Sequence, residues 1–128
     1  MRDKILVVGG YGKVGSIVSE HLAKLYLNKV VVAGRSFQKA KKLTDRMLKG
    51  AIPYEFDIGK GEDSALVKQV MLVVMCIDQK DTNFVEKCIT EGIIYIDITA
   101  DYNFIEKIER LNNQAKLNSS SLILGVGL

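Results

Sequence analysis

Short runs of apolar residues alternate along this chain with longer segments whose apolar residues recur at helical spacing. Residues 5–8, 30–33 and 71–77 are such runs, and the last is apolar on both faces, as a strand inside a parallel sheet must be. A repeated strand–helix order leaves parallel crossovers as the economical connection. We therefore predict an α/β fold: a doubly wound parallel sheet in three layers, with about six strands in the order 3-2-1-4-5-6.

The predicted elements cover nearly the whole chain. The predicted strands are residues 5–8, 30–33, 52–56, 71–77, 93–98 and 122–126. The predicted helices are residues 13–26, 62–70, 82–91 and 101–118, and one that begins after Ser36 as its N-cap and ends before Gly50. In the first helix the residues at helical spacing are Val14, Ile17, Val18, Leu22 and Leu25.

Composition and charge exclude several classes of protein. With 128 residues, 48% hydrophobic and 26% charged, the chain has the size and balance of one domain with its own core. Its longest apolar run, residues 70–77, is much shorter than the ~20 residues that span a bilayer, and no signal peptide is evident. A net charge of +3 is too small to indicate nucleic acid. We expect a soluble cytoplasmic domain with neither a membrane nor a nucleic-acid partner.

The few cysteines and the single histidine argue against disulfide, metal and catalytic sites. Cys76 and Cys88 do not make a disulfide framework, and we expect both to be packing residues. His21 lies within the first predicted helix, where we expect a structural or surface role. We therefore assign no catalytic residue and no metal ligand.

A glycine-rich loop follows the first predicted strand and opens the first helix. Gly10, Gly12 and Gly15 match G-x-G-x-x-G, the fingerprint of Rossmann dinucleotide-binding folds. The first glycine allows the tight turn, the second lets the pyrophosphate approach the backbone, and the third lets the helix pack on the sheet. The alternative is a strand–helix turn without a ligand. The predicted cofactor-binding residues of this loop are Gly10, Tyr11, Gly12, Lys13, Val14 and Gly15.

The end of the second strand favours NADP over NAD. NAD-binding folds carry an acidic residue about 20 positions after the glycine motif, but Arg35 stands here. Its guanidinium can pair with a 2′-phosphate, and Ser36 adds a hydroxyl at the start of the next helix. Residues 35–49 carry six basic residues and one acidic residue, so the basic excess lies beside this point. The alternative is a solvated arginine with Ser36 as a plain N-cap.

Three further strand ends supply candidate contacts. Asp57 and Ile58 follow the third strand, where they could meet the adenine, although a helix-capping aspartate is an equal alternative. Cys76 and Ile77 close the fourth strand, beside the switch point where nicotinamide would lie. Asp97 closes the fifth strand and would point at the ligand crevice, with a capping or turn aspartate as its alternative.

Two parts of the sequence resemble the N-terminal NAD(P)-binding domain of the saccharopine dehydrogenase-like family. The glycine loop at residues 9–15, followed by residues 32–35, is similar to it and to many Rossmann proteins. Residues 73–77 and 84–97 resemble this family more specifically, because there a cysteine-bearing helix ends in Glu-Gly and the next strand closes with Tyr-x-Asp. The resemblance covers nearly the whole chain.

The resemblance implies an NADP- or NAD-dependent oxidoreductase that acts on C–N bonds of amino-acid-derived substrates. Saccharopine reductases, of lysine metabolism, and carboxynorspermidine-type enzymes are examples. The family's cofactor residues carry over to Gly10, Gly12, Gly15, Arg35, Cys76, Ile77 and Asp97. One departure follows the fourth strand, where members often have a small residue and prolines but this chain has Ile-Asp-Gln-Lys at 77–80.

The same resemblance implies that residues 1–128 are the N-terminal part of a longer protein. The family's substrate residues lie largely in a later domain, which would begin after Leu128. We therefore expect this chain to bind nucleotide and, by itself, to turn over nothing. The alternative is a complete small domain. A homodimer is also compatible with this interpretation.

Two other function classes remain as alternatives. A nucleotide-sensing regulatory module, such as the Rossmann domains that gate potassium transport, would generally carry an acidic residue after the second strand, so Arg35 argues against it. A short-chain dehydrogenase or NmrA-like protein would continue with a Tyr-x-x-x-Lys pair or a degenerate version of it, which this sequence does not show.

Overall fold

A six-stranded parallel sheet forms the centre of the computed structural model, which describes residues 2–47, 50–60, 64–99, 101–111 and 122–124. The strands are β1 Lys4–Val8, β2 Val30–Gly34, β3 Ala51–Glu55, β4 Val70–Met75, β5 Ile94–Asp97 and β6 Leu122–Leu124. The helices are α1 Lys13–Leu25, α2 Phe37–Arg46, α3 Ser64–Val67, α4 Asn83–Thr90 and α5 Tyr102–Glu109, with a 3₁₀ turn at Ile58–Lys60. The strand order β3-β2-β1-β4-β5-β6 confirms the predicted doubly wound fold.

The two faces of the sheet bury separate clusters of side chains. Ile5 and Val7 of β1 pack on one face with residues of α1 and α2. Leu6 and Val8 pack on the other face with residues of α3, α4 and α5. Because alternate residues of one strand are buried on both sides, the domain has the predicted three layers.

Helix α1 lies against the sheet through small residues and through two of its larger apolar ones, Val18 and Leu22, which are partly buried against the core cluster. Gly15, Ser19 and Ala23 are its buried positions, and the Ser19 hydroxyl donates to the carbonyl of Gly10 at 2.9 Å. Among the apolar residues at helical spacing, three are largely exposed: Val14 (53%), Ile17 (58%) and Leu25 (72%). Small side chains allow the close approach of helix and sheet that the glycine loop requires, while Val14, Ile17 and Leu25 are left on the outer side.

Several predicted boundaries differ from the structure. The helix predicted to run to Val70 ends earlier, because Val70 is fully buried and pairs with Lys4 at the start of β4. The predicted helix 101–118 is observed as Tyr102–Glu109, and residues 112–121 lie outside the described residues. The last predicted strand is observed as Leu122–Leu124, and its remaining two positions are also outside.

Arg2, near the N-terminus, makes contacts at the edge of the sheet where the strands begin. Arg2 donates to the carbonyl of Val67 at 2.8 Å and forms an ion pair with Glu91, which follows α4. The hydrogen bond from Arg2 lowers the pKa of the Glu91 carboxyl. Ligands bind to such sheets at the opposite edge, where the strands end, so these contacts are remote from the expected site. In the described parts of the chain, no helix has both the length and the apolar character needed to cross a membrane.

Candidate functional site

The loop between β1 and α1 is shaped by backbone contacts. Gly9 has a φ of 77°, a left-handed conformation that favours glycine, and its N–H donates to Ala33 of β2 at 2.8 Å. The N–H of Gly12 turns back to the carbonyl of Gly9 at 3.0 Å. A methyl group on Gly15 would clash with that same carbonyl oxygen. The start of α1 is therefore held directly over the loop, and Gly9, which the motif match did not include, is the residue that makes the turn.

The N-terminus of α1 has the properties of an anion-binding end. Its N-cap, Gly12, supplies no capping side chain, and the first turn contains no acidic residue. By contrast, α2 and α5 are capped by Ser36 and Asp101, which accept from backbone amides at 3.2 Å. A Cβ at Gly12 would meet only one atom, at 3.3 Å, so the backbone is approachable there. The backbone amides and the helix dipole at the N-terminus of α1 thus suit a phosphate, and the loop fits the pyrophosphate of a dinucleotide.

Tyr11 connects this loop to the end of β2. Its hydroxyl accepts a hydrogen bond from the backbone N–H of Ser36 at 3.0 Å. Its ring lies so close over Gly34 that a Cβ there would be 2.7 Å from the hydroxyl oxygen. The ring is half-buried. Gly34 is thus the small residue that allows Tyr11 to lie across the end of β2.

Arg35 and Ser36 lie where the sequence places them, directly after β2. Arg35 is exposed, and the hydroxyl oxygen of Ser36 accepts from the N–H of Lys39 in the first turn of α2. The N-cap expectation for Ser36 is therefore confirmed. Arg35 follows β2 at the carboxyl edge, one residue before the backbone N–H that donates to Tyr11, and its contact with a 2′-phosphate stays a prediction.

Asp57 and Ile58 follow β3 at the same edge. The Asp57 carboxylate accepts from the N–H of Gly59 at 2.9 Å and so begins the 3₁₀ turn. Ile58 is partly buried and packs against the core cluster on the α4 side of the sheet. These contacts support the capping alternative for Asp57, and the adenine contact of both residues stays a prediction.

The residues after β4 pack against the glycine loop. The Ile77 side chain fills the space where a side chain at Gly9 would lie. Cys76 is partly buried, and burial, with a smaller contribution from the Asp97 carboxylate, raises the pKa of its thiol to about 11. A thiol that stays protonated at neutral pH is a packing group and not a nucleophile. Contact of Cys76 or Ile77 with nicotinamide remains untested.

Asp97 is buried at the end of β5 and is held by hydrogen bonds within the protein. Its side chain has no exposed surface. One carboxylate oxygen accepts from the hydroxyl of Tyr95 at 2.7 Å, and the other accepts from the N–H of Thr99 at 2.8 Å and from the Thr99 hydroxyl. The structure therefore favours the turn alternative, in which Asp97 fixes the chain after β5. Its direct contact with a cofactor stays a prediction.

Tyr95 extends this network to the loop after β4. Its hydroxyl accepts from the side-chain amide of Gln79 at 2.6 Å while it donates to Asp97. Burial raises the pKa of Tyr95 above its ordinary value, and the Asp97 carboxylate raises it further. Sequence reasoning did not assign Gln79, Tyr95 or Thr99 to the site. The Tyr-x-Asp pattern was a usable signal, because alternate residues of a strand share a face.

The assembled edge can bind and orient a ligand. His21 is exposed on α1. Within the described ranges, no group of three or more histidine, cysteine, aspartate or glutamate side chains is arranged to hold a metal ion. The residues that fit a dinucleotide are the loop glycines, the α1 N-terminus and the end of β2.

Comparison with solved structures shows the same fold in several dehydrogenases. Saccharopine dehydrogenase (L-Glu forming) from Saccharomyces cerevisiae is 22% identical, with a TM-score of 0.75, and the match covers 98% of this chain and 27% of that one. Shikimate 5-dehydrogenase from Mycobacterium fortuitum is 20% identical, with a TM-score of 0.66 and coverage of 98% and 45%. Quinate dehydrogenase from Corynebacterium glutamicum, solved in complex with NAD, gives the same identity, TM-score and coverage. The chain thus spans less than half the length of these relatives.

The family comparison goes further than the fold. No curated protein gives a significant match. The family model described as "Saccharopine dehydrogenase NADP binding domain" matches residues 5–123, nearly the whole chain. This match confirms the predicted resemblance, and the family's cofactor agrees with NADP, with NAD as the alternative. The chain therefore belongs to the saccharopine dehydrogenase NADP-binding domain family.

Proposed function

We propose that this chain is the NADP(H)-binding domain of an oxidoreductase that acts on C–N bonds of amino-acid-derived substrates. The observation that carries the proposal is the pairing of two anion-binding features at one sheet edge. The uncapped N-terminus of α1 lies after β1, and Arg35 stands after β2, where NAD-binding folds carry an acidic residue. A dinucleotide with an additional phosphate on its ribose satisfies both features.

In this proposal the glycine loop and the end of β2 bind different parts of the cofactor. The N-terminus of α1, with Gly12 as its N-cap, receives the pyrophosphate, because no side chain at Gly12 blocks the approach and the helix dipole favours the negative charge. Arg35 and Ser36 receive the 2′-phosphate, because a guanidinium offers two parallel donors to a phosphate. The remaining contacts at Asp57, Ile58, Cys76 and Ile77 would line the adenine and nicotinamide ends.

The chemistry of the whole protein belongs to the cofactor and to other parts of the polypeptide. When bound, NADPH would supply a hydride to an imine carbon, and in the reverse direction NADP⁺ would accept a hydride from the carbon of a secondary amine. In this proposal the chain contributes binding and orientation of the cofactor. Because the chain spans 27% of the saccharopine dehydrogenase and 45% of the shikimate dehydrogenase, we place substrate binding outside residues 1–128. The proposal extends to a cytoplasmic, homodimeric protein of lysine metabolism.

Fluorescence titrations with NADPH and NADH test the cofactor assignment. We expect NADPH to bind more tightly by about 1–3 kcal/mol, the scale of a hydrogen bond to a charged group. In Arg35→Ala this preference should decrease, with little change in NADH affinity. Arg46→Ala is the matched control, because Arg46 is also exposed but lies at the opposite end of α2, about 15 Å away. Equal affinities in the unmodified chain would contradict the NADP assignment.

A further inference from the structure

Tyr11 occupies the place where two subsites of the proposed cofactor site meet. In doubly wound folds the pyrophosphate lies at the N-terminus of the first helix, and the ribose 2′-substituent lies at the end of the second strand. Tyr11 belongs to the loop before α1, yet its hydroxyl is bonded to Ser36, one residue after Arg35. The side chain therefore extends from the first subsite to the second.

The hydroxyl of Tyr11 is held in position and is still available as a hydrogen-bond donor. It accepts the backbone N–H of Ser36 at 3.0 Å. A phenol can accept and donate at the same time, and among the described residues no acceptor is recorded for the Tyr11 hydrogen. The ring is half-buried over Gly34, which limits the positions that the oxygen can take. The result is a preorganised donor beside an exposed arginine.

We propose that Tyr11 is a specificity-determining residue, whose hydroxyl donates a hydrogen bond to the 2′-phosphate of NADP beside Arg35. This inference rests on the proposed NADP-binding function. A hydrogen bond from a neutral hydroxyl to a phosphate oxygen is charge-assisted and is stronger than one to the neutral 2′-hydroxyl of NAD. Because the Ser36 N–H already holds the phenol oxygen, the bond forms with little reorganisation.

Tyr11→Phe removes the donor and keeps the ring. We expect NADPH and adenosine 2′,5′-bisphosphate to bind about tenfold more weakly, equivalent to about 1.4 kcal/mol. NADH and 5′-AMP, which lack the 2′-phosphate, should change less than about twofold. Calorimetric titration of the two adenosine phosphates measures the effect without the nicotinamide half and without any turnover. The melting temperature of the variant reports whether the loop has been disturbed.

Two further variants separate a specific contact from a general disturbance. In Gly34→Ala the new methyl group would overlap the Tyr11 ring and lie 2.7 Å from its phenol oxygen, so the whole ring must move away while its hydroxyl is kept. We expect the same selective loss for the 2′-phosphorylated ligands. Tyr26→Phe, at the far end of α1 and exposed, is the matched control and should leave all four affinities unchanged.

Three outcomes would overturn the inference, and they differ in whether the NADP assignment survives. If Tyr11→Phe weakens NADPH and NADH equally, Tyr11 supports the loop and does not distinguish the cofactors. If it weakens neither while Arg35→Ala abolishes the preference, the NADP assignment stands and Tyr11 has no part in it. If the unmodified chain binds neither 2′-phosphorylated ligand, the proposed function fails together with the inference.

Discussion

Replacing Tyr95 by phenylalanine removes one oxygen atom from the buried network at the end of β5, and we expect it to destabilise the domain markedly. The Tyr95 hydroxyl is the only described link between the Gln79 amide, at 2.6 Å, and the Asp97 carboxylate, at 2.7 Å. The Tyr95 side chain and Asp97 are fully buried. The substitution thus leaves the partly buried Gln79 amide and the buried Asp97 carboxylate without their shared partner.

The expected loss of unfolding free energy is about 3 kcal/mol. A buried polar group left unsatisfied costs about 1–3 kcal/mol, and a charged one costs more. Asp97 keeps its two bonds from Thr99 on the other oxygen, which limits the cost on that side. A loss of about 3 kcal/mol is a large share of the about 5–15 kcal/mol that stabilises a domain of ordinary size.

Urea denaturation followed by far-ultraviolet circular dichroism measures this difference. Tyr102→Phe is the matched control, because the Tyr102 side chain is 78% exposed and its loss of a hydroxyl should change stability by less than about 0.5 kcal/mol. A loss below about 1 kcal/mol for Tyr95→Phe would refute the reasoning, since it would mean that water or a rearranged side chain satisfies both groups.

Other substitutions and conditions give further tests. Gly15→Ala should prevent both stable folding and nucleotide binding, because its methyl group would overlap a backbone carbonyl of the glycine loop; thermal denaturation and NADPH titration would show this. Cys76 and Cys88 should react slowly with a thiol reagent at about pH 8 in the folded protein, because burial raises their pKa values to about 11 and about 12, and fast reaction of both would contradict the described packing. Glu91→Gln should reduce stability above pH 4.5, where the carboxylate that pairs with Arg2 is ionised. Because the folded-state pKa of Glu91 is lowered, this advantage of the unmodified protein should fade as pH falls through that pKa, and denaturation at about pH 7 and about pH 3 would detect it.

The fold could be predicted from the sequence because its elements are locally encoded. Runs that are apolar on both faces, such as residues 71–77, favour interior strands, and the amphipathic segments between such runs favour parallel crossovers. The strand order then follows from the common arrangement of such repeats. Boundaries were harder: Val70 suits either the end of a helix or the start of a strand, and its pairing with β1 decides the matter.

The candidate site was only partly predictable, for a physical reason. The glycine motif, Arg35 and Ser36 follow directly from the positions of residues along the chain. The link from Tyr11 to Ser36 and the network around Asp97 depend instead on side-chain directions in three dimensions. The small buried residues of α1 could not be predicted for a related reason. A hydrophobic pattern shows where apolar residues recur, but it does not show how closely the helix backbone must approach the sheet.

The place of β1 at the centre of the sheet affects how the chain emerges from the ribosome. One partner of β1 is β2, which ends at Gly34, but its other partner is β4, which ends at Met75. At about 5–20 residues per second, the second partner arrives about 2–8 s after the first. During that interval an apolar strand presents one row of unpaired N–H and C=O groups, which is a template for pairing with another chain. The nascent polypeptide is therefore exposed to aggregation in this interval, and a chaperone that covers the open side of β1 would protect it then.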